Sequence, residues 1–321
     1  MKSFASNFAD RIMAFLREKQ AIGLVYNAGS DVLHQFDKFC LNHYPSTIYL
    51  SQELVLNWAI QRKTESANAF RLRLQPIREF ARYLIRRGEK AYVIPTMFAP
   101  KTTRYTPYIF TNSELNALFV STDNIPSKES NRLLGISLST MFRLIYCCGL
   151  RPKEARMLQT DDIDFENELI YIKESKGHKD RLLPVSPDVL MLCKKYDSLV
   201  HAQIGERPFF FSDSNKQPYT KDSLKYYFRK IWNGTNLQSQ RGTRPRLYDL
   251  RHTFATNQLM QWSNKNCDIN VYLSYLSTYL GHAQLSCTAY YIHLCPELLS
   301  SEILNKFNMH QFLLPEVSYD E

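Results

Sequence analysis

The sequence lacks the long apolar runs and glycine-rich loops that mark several large functional classes. No window of its 321 residues reaches the roughly 18 to 20 uninterrupted apolar residues of a membrane span, and charges are scattered through the N-terminal segment. We therefore expect neither a membrane span nor a signal peptide. No GxxxxGK[ST] loop is present, so we also expect no ATP requirement and no cofactor.

The residues that commonly bind metals are not arranged as a metal site. The seven cysteines form no CxxC pair, and Cys147 and Cys148 lie inside an apolar run that is typical of a buried helix. We therefore predict reduced thiols, no zinc site and a cytoplasmic location. Asp161, Asp162 and Asp164 allow a magnesium-site interpretation, but they directly precede a predicted strand, where turn and capping carboxylates are common. We expect no metal there.

The net charge of +9 is concentrated in the first third of the chain. Residues 1–107 hold 16 Lys+Arg against 8 Asp+Glu, whereas the remainder holds 24 against 23. A basic segment followed by a nearly neutral one indicates a nucleic-acid-binding domain joined to a domain whose positive charges are placed individually. A solvated basic surface is the alternative, and charge alone does not choose between the two.

Apolar residues at helical spacing predict a helical first domain over residues 1–95. Helices are predicted near residues 4–19, 30–43, 51–62 and 65–87. Pro76 should kink the last helix or divide it in two. One face of that helix is apolar, with Phe70, Leu74, Ile77, Ala81, Leu84 and Ile85. Four arginines share the adjacent face, as in a helix that follows DNA phosphates, although solvated helix faces look similar. They are Arg71, Arg78, Arg82 and Arg86.

The rest of the chain is predicted to form a linker, a second domain and a tail. Residues 96–107 are proline-rich without periodicity, which favours an extended linker. The second domain, 108–305, begins with Thr111-Asn112-Ser113-Glu114, a capping box that predicts a helix start. Runs at 168–173 and 180–186 are predicted strands joined as a β-hairpin with a basic tip. The predicted fold is therefore mainly α (α+β) with a small β-hairpin or sheet, followed by a tail at 306–321.

Four motifs in the second domain carry residues suited to phosphate chemistry. In GLRPKE at 149–154, the glycine should end one helix and the arginine should lie at the start of the next. Lys176 lies at the hairpin tip. LRHTFAT occupies 250–256, and LGH at 280–282 is followed by Tyr291 nine residues after its histidine. Each motif alone also fits an ordinary role as a helix end, a solvated turn or a core residue.

In this order and spacing the four motifs resemble the catalytic domain of the tyrosine recombinase (phage integrase) family, which has Xer-like and transposon-encoded members. The resemblance covers roughly residues 108–300, and the basic first domain resembles the family's core-binding domain. It implies a site-specific DNA recombinase that cuts and rejoins double-stranded DNA through a 3′-phosphotyrosyl intermediate, without a metal. It also implies a homotetramer on two DNA sites, and it leaves open whether accessory proteins take part.

The resemblance assigns two arginines to the scissile phosphate. Opening a phosphodiester without a metal requires positive donors around the non-bridging oxygens, because their charge must be neutralised in the transition state. By resemblance these donors are Arg151 and Arg251. Arginine suits the task because its planar fork forms bidentate bonds to phosphate and stays charged. Glu154 matches the acidic residue that supports the family's site from behind.

The resemblance places the nucleophile at Tyr291, which would form the covalent link to DNA. Tyr290 is adjacent, but helical neighbours point about 100° apart, so only one of the two can face the phosphate. The family's spacing favours Tyr291, although Ile292 stands where the family often has a hydroxyl residue. Lys176 would protonate the departing 5′-oxygen, and His282 would hydrogen-bond the scissile phosphate.

Tyr248 departs from the family pattern, which usually has histidine three residues before the second arginine. A phenol can donate a hydrogen bond to a phosphate oxygen but is a poor base near neutral pH. Proton removal from Tyr291 would then rely on His282, water or the phosphate itself. His252 is a tempting substitute, but we expect it to point elsewhere on its helix and to have a structural role.

Further DNA contacts are expected from the four arginines of the first domain, from Lys101 and Arg104 in the linker, and from Arg244 in the basic run before the third motif. Two other functions remain open. A type IB topoisomerase uses the same tyrosine chemistry but relaxes supercoils as a monomer. A non-catalytic DNA-binding relative is the second alternative, and Tyr248 is the feature that points to it.

Overall fold

Two units make up the computed structural model, Met1–Tyr105 and Thr106–Glu321. The structure describes residues 3–99, 105–126, 132–173, 180–237, 242–265 and 267–295. Among these residues, we find no helix with both the length and the hydropathy of a membrane span. Lys101 and Arg104 of the predicted linker lie outside the described residues.

The first unit is helical, as its apolar spacing predicts. Its helices are α1 (Ala9–Ala21), α2 (Asn27–His43), α3 (Gln52–Trp58) and α4 (Ala67–Arg86). Ser51 and Ser66 cap α3 and α4, because their side chains accept hydrogen bonds from backbone N–H groups in the first turn of each helix. Buried side chains from all four helices form one core, which includes Phe15, Phe36, Leu54 and Phe80.

A buried carboxylate sets the start of α1, which begins at Ala9 rather than near residue 4. Asp37 on α2 accepts hydrogen bonds from the N–H groups of Ala5 and Ser6, at 2.8 and 3.1 Å, and from the Ser6 hydroxyl. These bonds hold the segment against α2 instead of letting it continue the helix. The pairing joins residues more than 30 positions apart, so helical periodicity could not reveal it.

A buried arginine sets the end of α3, which is shorter than predicted. Arg73 on α4 donates to the carbonyl oxygens of Trp58 and Ile60 at 2.5 and 3.0 Å, and it binds both carboxylate oxygens of Glu65 at 2.7 and 2.8 Å. The side chains of this Arg73–Glu65 pair are less than a tenth exposed. The carbonyls at the end of α3 therefore bind a charged side chain rather than the next helical turn.

Helix α4 continues through Pro76 as one element, so of the two predicted outcomes, a kink or a division, the division does not occur. Leu74 and Ile77 flank the proline and are fully buried, and α4 packs against α2, which stabilises the helix across the missing N–H group. The predicted apolar face is wrong at its last position. Ile85 is 48% exposed, whereas Tyr83 is buried in its place.

The arginine face of α4 divides into two kinds of residue. Arg78 donates to the carbonyls of residues 94 and 95, at 2.7 and 3.1 Å, and Arg86 pairs with Glu18 at 2.7 Å. These two guanidiniums are therefore engaged within the unit. The other two side chains are exposed to solvent; they are Arg71 and Arg82.

The second unit places helices around a small antiparallel sheet, which confirms the predicted mainly α fold. Before the sheet lie α5 (Asn112–Asp123), α6 (Leu134–Cys147) and α7 (Pro152–Met157). The sheet contains β1 (Ile163–Asp164), β2 (Leu169–Ile172) and β3 (Arg181–Pro184) in that order. After it lie α8 (Pro187–Ile204), α9 (Lys221–Gly234), α10 (Asp249–Asn264), α11 (Ile269–Leu280) and α12 (Ser286–Ala289). The predicted capping box at Thr111 begins α5.

Strands β2 and β3 pair antiparallel, as the hairpin prediction requires. The hairpin tip at 174–179, which includes Lys176, lies outside the described residues. Strand β1 was not among the predicted strands, and it pairs with β2. The Asp164 carboxylate accepts hydrogen bonds from the N–H groups of residues 166 and 167, so it closes the turn between β1 and β2.

We predict that Arg73→Met lowers the free energy of unfolding of the first unit by about 3 kcal/mol, because it leaves a buried carboxylate and two carbonyls without their donor. Arg82→Met is the matched control on the same helix; that side chain is exposed, and the change should stay within about 0.5 kcal/mol. Urea unfolding of the full chain measures both. Equal effects of the two substitutions would contradict the structural role of Arg73.

Candidate active site

Arg151 lies at the start of α7, as predicted, with Pro152 as the first helical residue. Its Nη2 donates to the carbonyl oxygen of Gly281 at 2.8 Å, so it reaches the turn that follows α11. The chain enters α7 through Gly149, whose φ is +58°. A Cβ at this glycine would lie 2.5 Å from the Phe254 ring, so both the backbone conformation and the close approach require glycine.

Arg251 lies in the first turn of α10 and is fully buried. Its Nη1 donates to the Gly149 carbonyl at 2.6 Å, and its Nη2 donates to the Leu280 carbonyl at 2.7 Å. The same Nη2 lies 3.1 Å from Nε2 of His282. Both motif arginines therefore bind the turn formed by residues 280–282. The Nε of Arg251 has no hydrogen-bond partner among the described residues.

His282 is held as a neutral imidazole by its two neighbours. A guanidinium only donates, so Nε2 of His282 accepts from Arg251, and Nδ1–H donates to the Thr288 hydroxyl at 2.7 Å. Burial and then the charges of Arg251 and Arg151 lower the pKa of His282 to about 4. At neutral pH the ring therefore carries no charge.

Tyr291 follows α12 and is only 2% exposed. Its hydroxyl lies 3.1 Å from Nδ1 of His252, and its ring lies nearly parallel to the His282 ring at a centroid distance of 6.2 Å. It packs with the apolar side chains of α10 and α11. Burial raises the pKa of Tyr291 to about 12, although the nearby Arg251 acts in the opposite direction. In this conformation the phenol keeps its proton.

Tyr248 immediately precedes α10 and lies beside the same residues. Its ring centroid is 5.0 Å from that of His252, and its hydroxyl is near enough to affect the pKa of Arg251 and of Tyr291. The expectation that His252 points elsewhere is wrong. Arg251 and His252 do point in different directions from α10, but the segment around Tyr291 contacts the face that carries His252, so the site covers two faces of one helix.

Glu154 brings the guanidiniums together. One carboxylate oxygen accepts from Arg151 Nη1 at 2.6 Å, and the other accepts from the Arg151 N–H at 2.8 Å. Arg181 binds both oxygens at 3.0 and 2.8 Å, and Arg251 lies 3.9 Å away. Burial alone would raise the pKa of Glu154, but Arg181 and then Arg151 lower it to about 2. The carboxylate is therefore charged at neutral pH.

Arg181 is a site residue that the sequence analysis missed. It is the first residue of β3, its side chain is 8% exposed, and its Nε donates to the Tyr279 carbonyl at 2.9 Å. It packs so closely on Gly281, whose φ is +65°, that a Cβ there would lie 3.1 Å from its Nη1. Arg181 is a basic residue in the second predicted strand of the hairpin, and nothing in its spacing distinguished it from a solvated strand residue.

The structure brings together six of the predicted site residues: Arg151, Glu154, Tyr248, Arg251, His282 and Tyr291. Lys176 lies outside the described residues, and Arg244 is exposed. Of the three aspartates, Asp162 accepts from the Gln159 N–H and pairs with Lys173. Within the described ranges, no group of three or more His, Cys, Asp or Glu side chains could hold a metal ion.

A basic cavity of about 640 Å³ opens beside these residues, between the starts of α7, α9 and α10. Six cationic side chains line it, and none of the described residues in its lining is a carboxylate. They are Arg151, Lys153, Arg156, Lys221, Lys225 and Arg246. Tyr248 and His252 lie in its wall, so the cavity reaches the residues around Tyr291. An anion is the ligand that this charge distribution favours.

We predict that Glu154→Gln destabilises the chain by about 3 kcal/mol at neutral pH, because it leaves buried guanidiniums without their counter-charge. The folded-state pKa of Glu154 is below its ordinary value of 4.5, so its contribution is present above pH 4.5 and is lost as the pH falls toward about 2. The difference in the free energy of unfolding between wild type and variant should shrink over that interval.

Asp123→Asn, which affects a more exposed pair with Arg143, is the control and should cost about 1 kcal/mol or less. A constant difference from pH 7 to 2 would contradict the assignment.

Known proteins share both the sequence pattern and the fold. The model of the phage integrase family matches residues 109–297. The putative integrase/recombinase y4rB of Sinorhizobium fredii is 25% identical over 300 residues, which are 92% of this chain and 95% of that protein.

Two solved structures share the fold at lower identity. The XerH site-specific recombinase bound to palindromic difH substrate, in a post-cleavage complex, has a TM-score of 0.65 at 20% identity and covers 86% of this chain and 78% of its own. A lambda integrase tetramer bound to a Holliday junction has a TM-score of 0.63 at 15% identity and covers 90% and 78%.

The family model spans more than half of the chain, and its range contains every residue of the site described above. The y4rB protein matches across nearly its whole length, so the match is not confined to one domain. The chain belongs to the phage integrase family of tyrosine recombinases.

Proposed function

We propose that this recombinase cuts and rejoins double-stranded DNA at specific sites by attack of Tyr291 on a phosphodiester. The reaction joins the tyrosine to the 3′ phosphate and releases a 5′ hydroxyl, and it serves integration, excision or resolution of DNA. The observation that carries the proposal is the convergence of Arg151, Arg251, His282 and Tyr291 around one turn of the backbone. These residues supply a nucleophile and fixed cations within one site.

The two motif arginines neutralise the phosphate in this proposal. Arg251 Nε lacks a partner among the described residues, and Arg151 lines the basic cavity. Their other donors are fixed on backbone carbonyls and on Glu154, so the charges are in place before the substrate arrives. Preorganised donors of this kind stabilise the developing charge without reorganisation during the reaction.

The proposed reaction begins with strand cleavage, and a rejoining step reverses it. The Tyr291 oxygen forms a bond to phosphorus while the bond from phosphorus to the 5′-oxygen breaks, and the covalent link conserves the energy of the phosphodiester. The departing 5′-oxygen needs a proton, for which Lys176 is the proposed donor by family resemblance. Tyr291 is 2% exposed, so it must move toward the cavity to reach a phosphate. For His282 to hydrogen-bond a non-bridging oxygen, its Nε2 must release Arg251 and take up a proton, which the negative charge of the phosphate favours.

The partner in this proposal is duplex DNA, and the working assembly is a tetramer on two sites. The charge of the basic cavity supports the proposal that DNA phosphates bind at the site. The exposed Arg71, Arg82 and Arg244 are proposed further contacts. Arg78 and Arg86, with the linker residues Lys101 and Arg104, complete the proposed set. Support for the assembly comes from fold likeness to the lambda integrase tetramer bound to a Holliday junction.

We predict that wild-type protein forms a covalent adduct on a suicide duplex nicked near the cleavage site, whereas Tyr291→Phe forms none, since phenylalanine has no attacking oxygen. The duplexes are built from DNA that flanks the gene and that the protein binds in a footprinting screen. Tyr290→Phe is the matched control and should keep the adduct, measured on a denaturing gel.

Other outcomes of this experiment separate the alternatives. An adduct that survives Tyr291→Phe but is lost in Tyr290→Phe would move the nucleophile by one residue. No adduct on bound DNA would indicate a non-catalytic DNA-binding protein. If the protein forms an adduct but converts circular DNA only into relaxed topoisomers, without recombinants, it is a topoisomerase.

We also predict that Lys221→Ala weakens binding to a duplex of unrelated sequence and reduces the slope of log K against log salt concentration by about one, because one phosphate contact is lost. Lys221 lines the basic cavity at the start of α9. Lys195→Ala is the control, since this exposed lysine on α8 is not among the cavity residues. Filter binding at several salt concentrations gives both slopes. Equal slopes for the two variants would contradict a DNA path through the cavity.

A further inference from the structure

The hydroxyl of the proposed nucleophile has a specific neighbour. Nδ1 of His252 lies 3.1 Å from the Tyr291 hydroxyl, with the two rings 5.5 Å apart at 56°. The ring of Tyr248 lies on His252 at 5.0 Å, so the imidazole is bounded by two phenols. The His252 ring is thus placed beside the atom that is to attack phosphorus.

Both groups of this hydrogen bond are neutral at pH 7. Burial lowers the pKa of His252 to about 3, and Arg246, Arg251 and His282 act in the same direction, so the ring is neutral at pH 7. The pKa of Tyr291 is raised to about 12, so the phenol is protonated. In the tautomer of neutral His252 that carries its proton on Nε2, the Tyr291 hydroxyl donates and Nδ1 accepts with its lone pair, and this is the tautomer that the proposal uses.

We propose that His252 is the general base of the strand-cleavage reaction and takes the Tyr291 proton as the phenol oxygen bonds to phosphorus. This inference rests on the proposed function. The O–H bond of Tyr291 breaks, a bond from hydrogen to Nδ1 forms, and the phosphorus bond to the 5′-oxygen breaks with its electron pair on that oxygen. A separate acid protonates the 5′-oxygen. In the rejoining step the proton returns from His252 to Tyr291.

The other groups near Tyr291 are less suited to this role. Both ring nitrogens of His282 are engaged, one with Arg251 and one with Thr288. A phenol is a poor base near neutral pH, which excludes Tyr248 as the proton acceptor. His252 lies four residues after Tyr248, on the same face of α10, and it reaches the nucleophile from there. It thereby occupies the role that the tyrosine at 248 leaves open.

A bound phosphate would switch this base on. The charged and titratable groups that face His252 are Arg246, Arg251, His282, Tyr248 and Tyr291. The negative charge of a phosphate in the neighbouring cavity offsets the guanidiniums of Arg246 and Arg251, so it raises the proton affinity of His252. The cavity wall includes His252, so the substrate comes within range of it. Without DNA the proton stays on Tyr291.

The test measures single-turnover formation of the covalent adduct with His252→Gln, on the duplex used to detect the wild-type adduct. Glutamine keeps a hydrogen-bond acceptor beside Tyr291 but cannot take a proton. We expect the cleavage rate to fall about 100-fold or more, which is the range of general base catalysis. His201→Gln, an exposed histidine on α8, is the matched control and should cleave at the wild-type rate. Thermal melting and DNA binding show whether the His252 variant is folded.

Two further measurements separate a base from a positioning residue or an acid. Placing 3,5-difluorotyrosine at position 291 lowers the phenol pKa and should recover about tenfold of the rate lost in His252→Gln, because a more acidic nucleophile depends less on a base. A duplex with a 5′-bridging sulfur at the scissile phosphate needs no acid for its leaving group, and it should not restore the variant. No recovery by the fluorinated tyrosine, or full recovery by the sulfur substrate, would overturn the proposal.

Failure of this inference is distinguishable from failure of the proposed function. If Tyr291→Phe abolishes the adduct while His252→Gln cleaves at the wild-type rate, the nucleophile stands and the base assignment is overturned. If the wild-type protein binds its DNA and forms no adduct, both are overturned. If His252→Gln is folded, binds DNA and cleaves slowly with the expected rescue, the assignment of His252 is supported.

Discussion

Both motif arginines bind the backbone of one tight turn, and the geometry of the site depends on that interaction. Arg251 donates to the Leu280 carbonyl, and Arg151 donates to the Gly281 carbonyl. The same turn carries His282, which accepts from Arg251. These bonds join the start of α7 to the start of α10 and the end of α11, which lie about 100 residues or more further along the chain. Loss of any one of these hydrogen bonds would leave a buried guanidinium without one of its acceptors.

The charges around this turn are unbalanced in a way that suits an anionic substrate. One buried carboxylate, Glu154, contacts Arg151 and Arg181 and lies near Arg251. The carboxylate fixes the guanidiniums in space but offsets only part of their charge. Burial lowers the pKa values of His282 and His252, and the excess positive charge acts in the same direction. A phosphate in the adjoining cavity would restore the balance.

Local signals in the sequence were sufficient where the structure depends on local interactions. The capping box at Thr111, the helix start at Arg151 and the two hairpin strands follow from the residues that form them. Six of the residues that the motifs pointed to lie together in the structure. Sequence periodicity failed to predict helix ends where a side chain binds backbone groups that are distant along the chain. The end of α3 depends on Arg73, the start of α1 on Asp37, and neither pairing has a spacing that sequence periodicity detects.

Two site residues were misjudged from the sequence, and in both cases the reason is a contact with a segment that is distant along the chain. Arg181 was overlooked because strand alternation does not reveal that a carboxylate lies beneath it. His252 was expected to point away, since neighbours on a helix diverge by about 100°. That divergence is real, but the segment carrying Tyr291 packs on the second face of α10. The Tyr248–His252 spacing of four residues was the signal that both share one face.

The most direct test of the account is the chemical identity of the protein–DNA link. The trapped adduct is digested with nuclease and protease, and the nucleotide-bearing peptide is sequenced by tandem mass spectrometry. The account predicts a 3′-phosphotyrosyl bond at Tyr291, with a free 5′ hydroxyl on the released strand. A nucleotide on Tyr290, on a serine or on a histidine, or a 5′-linked product, would contradict it.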